Sequence, residues 1–206
     1  MQTIRLRRSW LMKYGILALL AVLMMILVSC QASEAPSAQE GSAQEGSAQA
    51  GVTSIAQANV TGTSLAPTIT GQILIEETAA GLKMQGALDN VSAGMHGFHI
   101  HEGKSCAEDG KAAGGHFNPR AVMHGYLPSA GLDNAHAGDL GNYPGNDHGS
   151  AEWTLDVAGL TLSPGEFSVA NHAFILHADP DDLGQPTGNA GERIACGIIQ
   201  PVALEN

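Results

Sequence analysis

The sequence predicts an all-β domain, an antiparallel sandwich or barrel with two long functional loops. From residue 52 onward the chain is a series of short runs with extended character, separated by Gly, Pro, Asn and Asp. Glycine is abundant, with 26 among 206 residues, and charged residues make up only 14%. No segment has helical periodicity of any length. These observations exclude a coiled coil and a helical bundle.

Residues 1–29 have the pattern of an export signal. A basic stretch at 5–13 precedes an almost unbroken apolar run at 14–28, which is short for a spanning helix of about 20 residues. The run ends in the letters LVSC, which resemble a bacterial lipobox. That resemblance implies cleavage before Cys30, acylation of this cysteine and attachment to a membrane of the cell envelope. An uncleaved anchor helix and a cut at another site are the alternatives, and each also places the domain outside the cytoplasm.

Residues 30–51 predict a flexible tether between this signal and the domain at 52–206. A five-residue unit, SAQEG or SAQAG, begins at Ser37, Ser42 and Ser47 and contains no large apolar residue. Such a segment cannot bury a hydrophobic core, and no catalytic residue is expected in it.

The charge balance excludes a basic nucleic-acid binder. The chain carries nine Lys and Arg residues against 20 Asp and Glu residues. Residues 1–29 hold four of these cations and no acid, so the remainder has a formal net charge of −15. A surface that tracks phosphates needs the opposite sign. After Arg120 the only Lys or Arg is Arg193, which marks it as a candidate functional residue.

The predicted strands follow from alternating or apolar runs that are bounded by turn residues. They cover 69–75, 81–88, 95–101, 151–157, 167–170, 172–177 and 194–202. Two connections, 102–150 and 178–193, are longer than loops in compact domains usually are, and long loops of this kind are usually functional. Both are rich in Gly, Asp and His.

The strand at 95–101 predicts a pair of metal ligands. Its period of two places His99 and His101 on one face and Phe98 and Ile100 on the other. For any single histidine, a hydrogen-bonded surface role is the alternative. His177 adds a third imidazole, because it ends an apolar strand where the second long loop begins.

The first long loop extends this set to seven candidate ligands, of a kind that suits zinc, copper, iron or nickel. The candidates are His99, His101, His116, His124, His136, Asp139 and His177. Seven is one short of two four-coordinate sites, so two complete sites require one shared imidazole. His116 is favoured for it, since it lies between the strand pair and the other loop ligands, although spacing alone does not fix this.

The cysteines favour a disulfide. If Cys30 carries lipid, Cys106 and Cys196 remain, and an exported protein meets an oxidising environment. Free thiols or metal ligands are the alternative, but the spacing resembles no zinc motif.

At this point six stretches, in order, resemble the copper/zinc superoxide dismutase family over roughly residues 67–201. They are HGFHIH at 96–101, GHFNP at 115–119, HG at 124–125, HAGDLGN at 136–142, HADPDDLG at 177–184 and GNAGERIACG at 188–197. The resemblance implies a Greek-key antiparallel β-sandwich or barrel, with copper and zinc as cofactors and superoxide as the substrate.

Carried over to the matching positions, the resemblance implies two ligand sets that share a bridging imidazolate, His116. Copper would be bound by His99, His101, His116 and His177, and zinc by His116, His124, His136 and Asp139. Zinc would be structural, while copper alternates between Cu(II) and Cu(I) as two superoxide anions become O₂ and H₂O₂. The catalytic residues would be His116, as a proton carrier, and Arg193, as the cation that orients the anionic substrate.

The remaining matches are supporting roles. Asp181 would link a copper ligand to a zinc ligand, Cys106 and Cys196 would form the family disulfide, and His96 would be structural. His148 and His172 lie in a turn and on the opposite strand face, and neither is expected to bind metal.

The chain departs from many family members in its second long loop. Only Gln185 and Pro186 separate the DDLG stretch from Thr187, where others carry several more residues, some of them charged. This departure questions how the substrate is steered. The alternative function is an exported copper-binding or copper-buffering lipoprotein without efficient catalysis. The sequence leaves both a monomer and a homodimer open.

Overall fold

The computed structural model describes residues 51–203. The expected signal at 1–29, the lipid on Cys30 and nearly all of the tether lie outside these residues. The elements are β1 Ser54–Gly62, β2 Thr70–Thr78, β3 Gly81–Asp89, β4 Gly94–His101, a 3₁₀ turn Lys111–Ala113, α1 Leu127–Ala130, β5 Asp139–Gly145, β6 Ser150–Val157, β7 Ala173–His177, β8 Arg193–Ile198 and β9 Gln200–Val202. In this part of the chain, helices are too short and insufficiently apolar to cross a bilayer.

Eight strands lie side by side in the order β5-β4-β7-β8-β1-β2-β3-β6, and every pair is antiparallel. β9 continues the pairing along β1 after Ile199. The connections from β3 to β4 and from β6 to β7 join strands that are distant in the sheet, which is the Greek-key arrangement. A tight turn at 146–149 joins β5 to β6 and brings the two ends of the sheet together. The predicted all-β class is confirmed.

The strands form because their apolar residues alternate. In β3, Leu82, Met84 and Leu88 are buried while Gln85 and Ala87 are exposed. The buried face packs on its counterpart in β2 and on the other strands, so one main hydrophobic core lies inside the curved sheet. Burial of each such side chain contributes roughly 1.5–3 kcal/mol.

Both faces of β4 and β7 are covered, unlike those of β2 and β3, whose outer faces are largely exposed. On the inner face, Phe98 stacks on Phe174 with ring centroids 5.0 Å apart. The outer face of β4 carries His99 and His101, which are also buried. The two long loops supply that outer cover, so the fold places polar ligands under loops and away from the apolar core.

Both of these strands are irregular where they carry histidines. The register between β4 and β5 shifts between Gly97 and His99, and the register between β7 and β8 shifts between Leu176 and His177. Such bulges re-aim side chains. The second shift pairs His177 with Arg193 on the neighbouring strand.

Three strand predictions were wrong. β1 was missed, because its inward residues Ala56 and Ala58 are small and give a weak apolar signal. β5 lies within the expected loop 102–150, because its sequence DLGNYPG is made largely of turn residues. The expected strand at 167–170 forms only an isolated bridge between Thr161 and Ser168.

The disulfide predicted for this chain is present. Cys106, in the loop after β4, is bonded to Cys196 of β8, and their Cα atoms lie 5.7 Å apart. Cys196 packs in a small satellite cluster with Ala113, Ala173 and Ile175 on the outer face of the sheet. The first long loop is therefore fixed covalently to the sheet beside β7.

Candidate metal centre

The predicted ligands come together as two groups that share His116. Within each group one donor atom from every residue lies within 4.8 Å of the others. The first group is His99, His101, His116 and His177, and the second is His116, His124, His136 and Asp139. All seven residues are buried.

The sheet positions most of the first group. His99 and His101 extend from the outer face of β4, and His177 ends β7 at the bulge. His116 follows the 3₁₀ turn and forms an isolated β-bridge with His101. The His116 ring centroid lies 4.0 Å from that of His99 and 5.0 Å from that of His101.

Hydrogen bonds fix which nitrogen each histidine presents. The Nδ1–H of His101 donates to the carbonyl of Gly114 at 3.0 Å, and the Nδ1–H of His177 donates to the carbonyl of Gly191 at 3.1 Å. The Nε2 atoms of both rings are left as acceptors with no hydrogen-bond partner among the described residues. A partner that fixes the tautomer on the far side of a ring is the usual companion of a metal-bound imidazole.

Asp181 fixes the tautomer of one histidine in each group. Its carboxylate accepts from the Nε2–H of His99 at 2.7 Å and from the Nε2–H of His124 at 3.0 Å. The Nδ1 atoms of the two rings then face the first and second groups, respectively. Asp181 therefore joins the two groups through a second path besides His116.

Asp139 is the centre of the second group and is fully buried. One carboxylate oxygen lies 2.8 Å from His116 Nδ1 and 3.1 Å from His136 Nδ1. The other lies 2.9 Å from His124 Nδ1 and accepts the backbone N–H groups of Gly125 and His136. Three imidazole nitrogens and a carboxylate oxygen are donors that zinc accepts in tetrahedral sites.

The unpartnered atoms test whether the residues fit two metals. Buried polar atoms almost always have a partner, so each exception needs an explanation. Six buried side-chain polar atoms in the described residues have none, and five of them are ring nitrogens of these groups. They are His99 Nδ1, His101 Nε2, His124 Nδ1, His136 Nδ1 and His177 Nε2. Ring nitrogens that converge at these positions without a hydrogen bond are explained by cations.

Burial keeps three imidazoles of the first group uncharged. It lowers the pKa of His101 to about 2 and that of His177 to about 3. Burial also lowers the pKa of His116 to about 4, against the opposing hydrogen bond to Asp139. At neutral pH these three imidazoles carry lone pairs and are ready to coordinate.

The second group is charged. Burial alone would lower the pKa of His124, but the carboxylates of Asp139 and Asp181 outweigh it and raise this pKa to about 9. Burial likewise opposes ionisation of Asp139, yet its contacts to three histidines hold the pKa of this carboxyl well below its ordinary value.

Arg193 adds a cation at the opening of the first group. Its Nη1 and Nη2 donate to the carbonyls of Gly110 and Gly114, both at 2.6 Å. The Gly114 carbonyl is also the acceptor for His101, so the guanidinium and the imidazole share one anchor. A cavity of about 320 Å³ opens here and is lined by His101, His116, His177, Arg193 and residues of the second long loop. An anion that enters it meets the guanidinium beside the imidazoles.

The other histidines lie outside both groups. His96 Nδ1 lies 2.9 Å from the carbonyl of His177, and its Nε2 lies 3.0 Å from the carbonyl of Ser92. His148 is exposed. His172 packs on Phe117 with ring centroids 4.4 Å apart. The sequence analysis missed the carbonyls of Gly114 and Gly191, because a backbone acceptor has no signature in residue type.

Comparisons with known proteins agree with this geometry. The family described as copper/zinc superoxide dismutase matches residues 69–199. The extracellular copper-zinc superoxide dismutase of Haemonchus contortus is 39% identical over 147 residues, which are 68% of this chain and 78% of that protein. Superoxide dismutase [Cu-Zn] 2 of Brassica juncea is 38% identical over 139 residues, which are 64% of this chain and 89% of that protein. The crystal structure of the clock protein EA4 superposes with a TM-score of 0.64 at 33% identity, covering 71% of this chain and 93% of that one.

Proposed function

The chain belongs to the copper/zinc superoxide dismutase family, and we propose how its residues divide the work of that enzyme. The reaction is an oxidoreduction in which two superoxide anions and two protons become one O₂ and one H₂O₂. We assign copper to the first group of ligands, called the copper group below, and zinc to the second, called the zinc group. The copper group is His99, His101, His116 and His177, and the zinc group is His116, His124, His136 and Asp139.

One observation carries this assignment. The five unpartnered ring nitrogens separate into three in the copper group and two in the zinc group. Only the zinc group contains a carboxylate, which suits zinc, whereas an all-imidazole set suits copper. His116 supports a bridging role, since its Nδ1 lies beside Asp139 and its Nε2 remains for the copper group.

Copper, when bound, supplies the one-electron exchange that oxidises one superoxide and reduces the next. The protein supplies position, charge and a proton. His116 Nε2 can take up a proton and return it, while Nδ1 stays fixed on the zinc side beside Asp139.

Arg193 is proposed to attract and orient the substrate. Beyond residue 29 the chain has a formal net charge of −15, which opposes the approach of an anion. Attraction must therefore be local, and distant surface acids are screened over about 8 Å at physiological salt. The two carbonyl contacts hold the guanidinium at the wall of the cavity that the copper group lines.

The test is to load the protein with copper and zinc and to measure superoxide disproportionation by pulse radiolysis over a range of ionic strength. We expect a fast, copper-dependent rate that falls as salt rises. A fast rate that does not depend on ionic strength would support the dismutase activity but contradict the steering role of Arg193. No copper-dependent rate with both metals bound would leave copper binding without catalysis, the alternative function, as the better account.

We further propose that the enzyme is exported, that residues 1–29 are its signal and that lipid on Cys30 holds it at the cell envelope, which it protects from superoxide. The LVSC stretch at 27–30 and the polar tether that follows it support this, and so does the extracellular relative from Haemonchus contortus. Intact-mass measurement of membrane-extracted protein tests it. A mature chain that begins at Cys30 with the added mass of a diacylglycerol is expected, whereas an unmodified Cys30 would contradict the anchor.

A further inference from the structure

The shortened part of the second long loop turns back on itself over the metal centre. The N–H of Asp182 donates to the carbonyl of Gly188 at 2.8 Å, and the N–H of Gly188 donates to the carbonyl of Gly184 at 2.7 Å. Gly188 has a φ of +76°, and a Cβ there would overlap the Asp181 carboxylate. This tight turn carries the Gln185 side chain to the first long loop.

The Gln185 amide makes two complementary hydrogen bonds to one residue, the zinc-group ligand His124. The His124 N–H donates to Gln185 Oε1 at 3.1 Å, and Gln185 Nε2 donates to the His124 carbonyl at 2.8 Å. One side chain therefore satisfies both backbone polar groups of a residue 61 positions away. Among the described residues, it is the only hydrogen-bond partner of the His124 backbone.

The backbone position of His124 matters because both of its ring nitrogens lie near carboxylates. Its Nδ1 lies 2.9 Å from Asp139, and its Nε2 lies 3.0 Å from Asp181. Each nitrogen of this imidazole therefore faces a carboxylate, and a rotation of the backbone would move one nitrogen away from its carboxylate. No helix or strand fixes this residue, unlike the copper-group ligands of β4 and β7.

We infer that Gln185 is a positioning residue of the zinc site, a latch that holds the His124 backbone so that Nδ1 meets zinc while Nε2 meets Asp181. The inference rests on the proposed function, because it takes His124 as a zinc ligand. The latch also ties the zinc group to the copper cavity, since Thr187 and Asn189 of the same loop line that cavity. The uncharged side chain of Gln185 thereby gives the short loop a defined position.

The experiment compares Gln185→Met with Gln72→Met in the full chain loaded with copper. Methionine keeps the length and removes both hydrogen bonds. Gln72 is an exposed residue of β2 whose amide contacts only Gln57 and Asn59, so its variant controls for the chemical change. Zinc affinity is measured by chelator competition, and the geometry of the zinc site is recorded as the visible absorption of Co²⁺ bound in place of zinc.

We expect Gln185→Met to lower zinc affinity about 10- to 100-fold, the usual effect of losing an outer partner of a metal ligand. The Co²⁺ spectrum should change, while the Cu²⁺ electron paramagnetic resonance spectrum and the unfolding midpoint of the metal-free protein stay near those of the control. If Gln185→Met does not fold, the same measurements are made on Gln185→Asn, whose amide is one methylene too short to make both hydrogen bonds.

Two results would overturn the inference, and they are distinguishable. If the unaltered chain binds zinc but Gln185→Met matches Gln72→Met in zinc affinity and Co²⁺ spectrum, the latch is wrong and the proposed function stands. If the unaltered chain binds no zinc at the second group, the proposed metal assignment fails and the latch fails with it.

Discussion

The copper group and the zinc group share His116 yet are held by different means. In the copper group, His101 and His177 donate to the backbone carbonyls of Gly114 and Gly191, and burial keeps both rings neutral. In the zinc group, three imidazoles surround the carboxylate of Asp139, and two carboxylates keep His124 protonated without metal. The copper site therefore presents neutral imidazoles that backbone carbonyls already orient, while the zinc site is a charged cluster that a cation completes.

Because of this contrast, metal binding at the two sites differs in whether a proton must be released. A neutral imidazole that is already oriented binds a metal without releasing a proton. The zinc site must lose the proton of His124 and gain a dication beside Asp139, so its geometry depends on the metal as much as on the chain. Loss of zinc is expected to loosen the loops, whereas loss of copper leaves the strands that carry its ligands in place.

Asp139→Asn is expected to produce the largest difference between the effects on zinc affinity and on copper affinity. The variant is nearly isosteric, but it removes the charge and the donor oxygen from the middle of three imidazoles. Zinc affinity should fall by more than the roughly 10- to 100-fold that follows loss of an outer partner, while copper affinity changes little. Chelator competition for each metal measures this. Asp156→Asn, at an exposed position of β6, is the matched control, and an equal loss of copper would refute the separation.

Removal of the disulfide, in contrast to Asp139→Asn, should affect the copper group more than the zinc group. The Cys106–Cys196 bond fixes the loop that carries Gly110 and Gly114, the acceptors for Arg193 and His101. We expect Cys106→Ser combined with Cys196→Ala to lower the free energy of unfolding by about 2–5 kcal/mol.

The same variant should weaken copper binding more than zinc binding. Denaturant unfolding and metal competition on the same preparation test both statements. A greater loss of zinc would show that the loop carbonyls do not organise the copper side.

Arg193→Ala should change rate without changing metal content. The cavity loses its only described cation, so the second-order rate at low salt should fall about 10- to 100-fold. Arg193→Lys keeps the charge but lacks the two-carbonyl fork, and an intermediate rate is expected. Pulse radiolysis with metal analysis of each sample measures this. A rate for Arg193→Ala equal to that of the unaltered protein at low salt would end the steering role.

The sequence predicted the copper group more directly than the zinc group. His99 and His101 follow from the period of a strand, because alternation alone puts two imidazoles on one face. His124, His136 and Asp139 stand on or beside loops, where no periodicity relates them. Their residue types made them candidate ligands, and the family resemblance assigned them to zinc. The strand that carries Asp139 was hidden by its turn-forming sequence.

Other features had no sequence signal at all. The carbonyls of Gly114 and Gly191 are backbone groups that any residue could supply. The bulge that pairs His177 with Arg193 depends on strand register, which is set by tertiary packing. Gln185 was noted only as part of a short loop, because its partner lies 61 residues away and is a backbone.

The most direct test of the contrast is the pH dependence of metal binding. The pKa of His124 is raised to about 9, so zinc must displace a proton at pH 7, and its apparent affinity should rise about tenfold per pH unit between pH 7 and 9. Each metal is added in the absence of the other, so that His116 keeps one N–H. The pKa values of His101, His177 and His116 are lowered to about 2, 3 and 4, so these three rings add no such slope to copper binding above pH 6.

Chelator competition from pH 6.5 to 9, corrected for the protonation of the chelator, measures both slopes on one protein. Asp181→Asn sharpens the test. It removes one of the two carboxylates that raise the pKa of His124, so the rise in zinc affinity should level off at a lower pH. Parallel slopes for the two metals would mean that the zinc group is as neutral as the copper group, and the contrast between a pre-formed site and a metal-completed one would not hold.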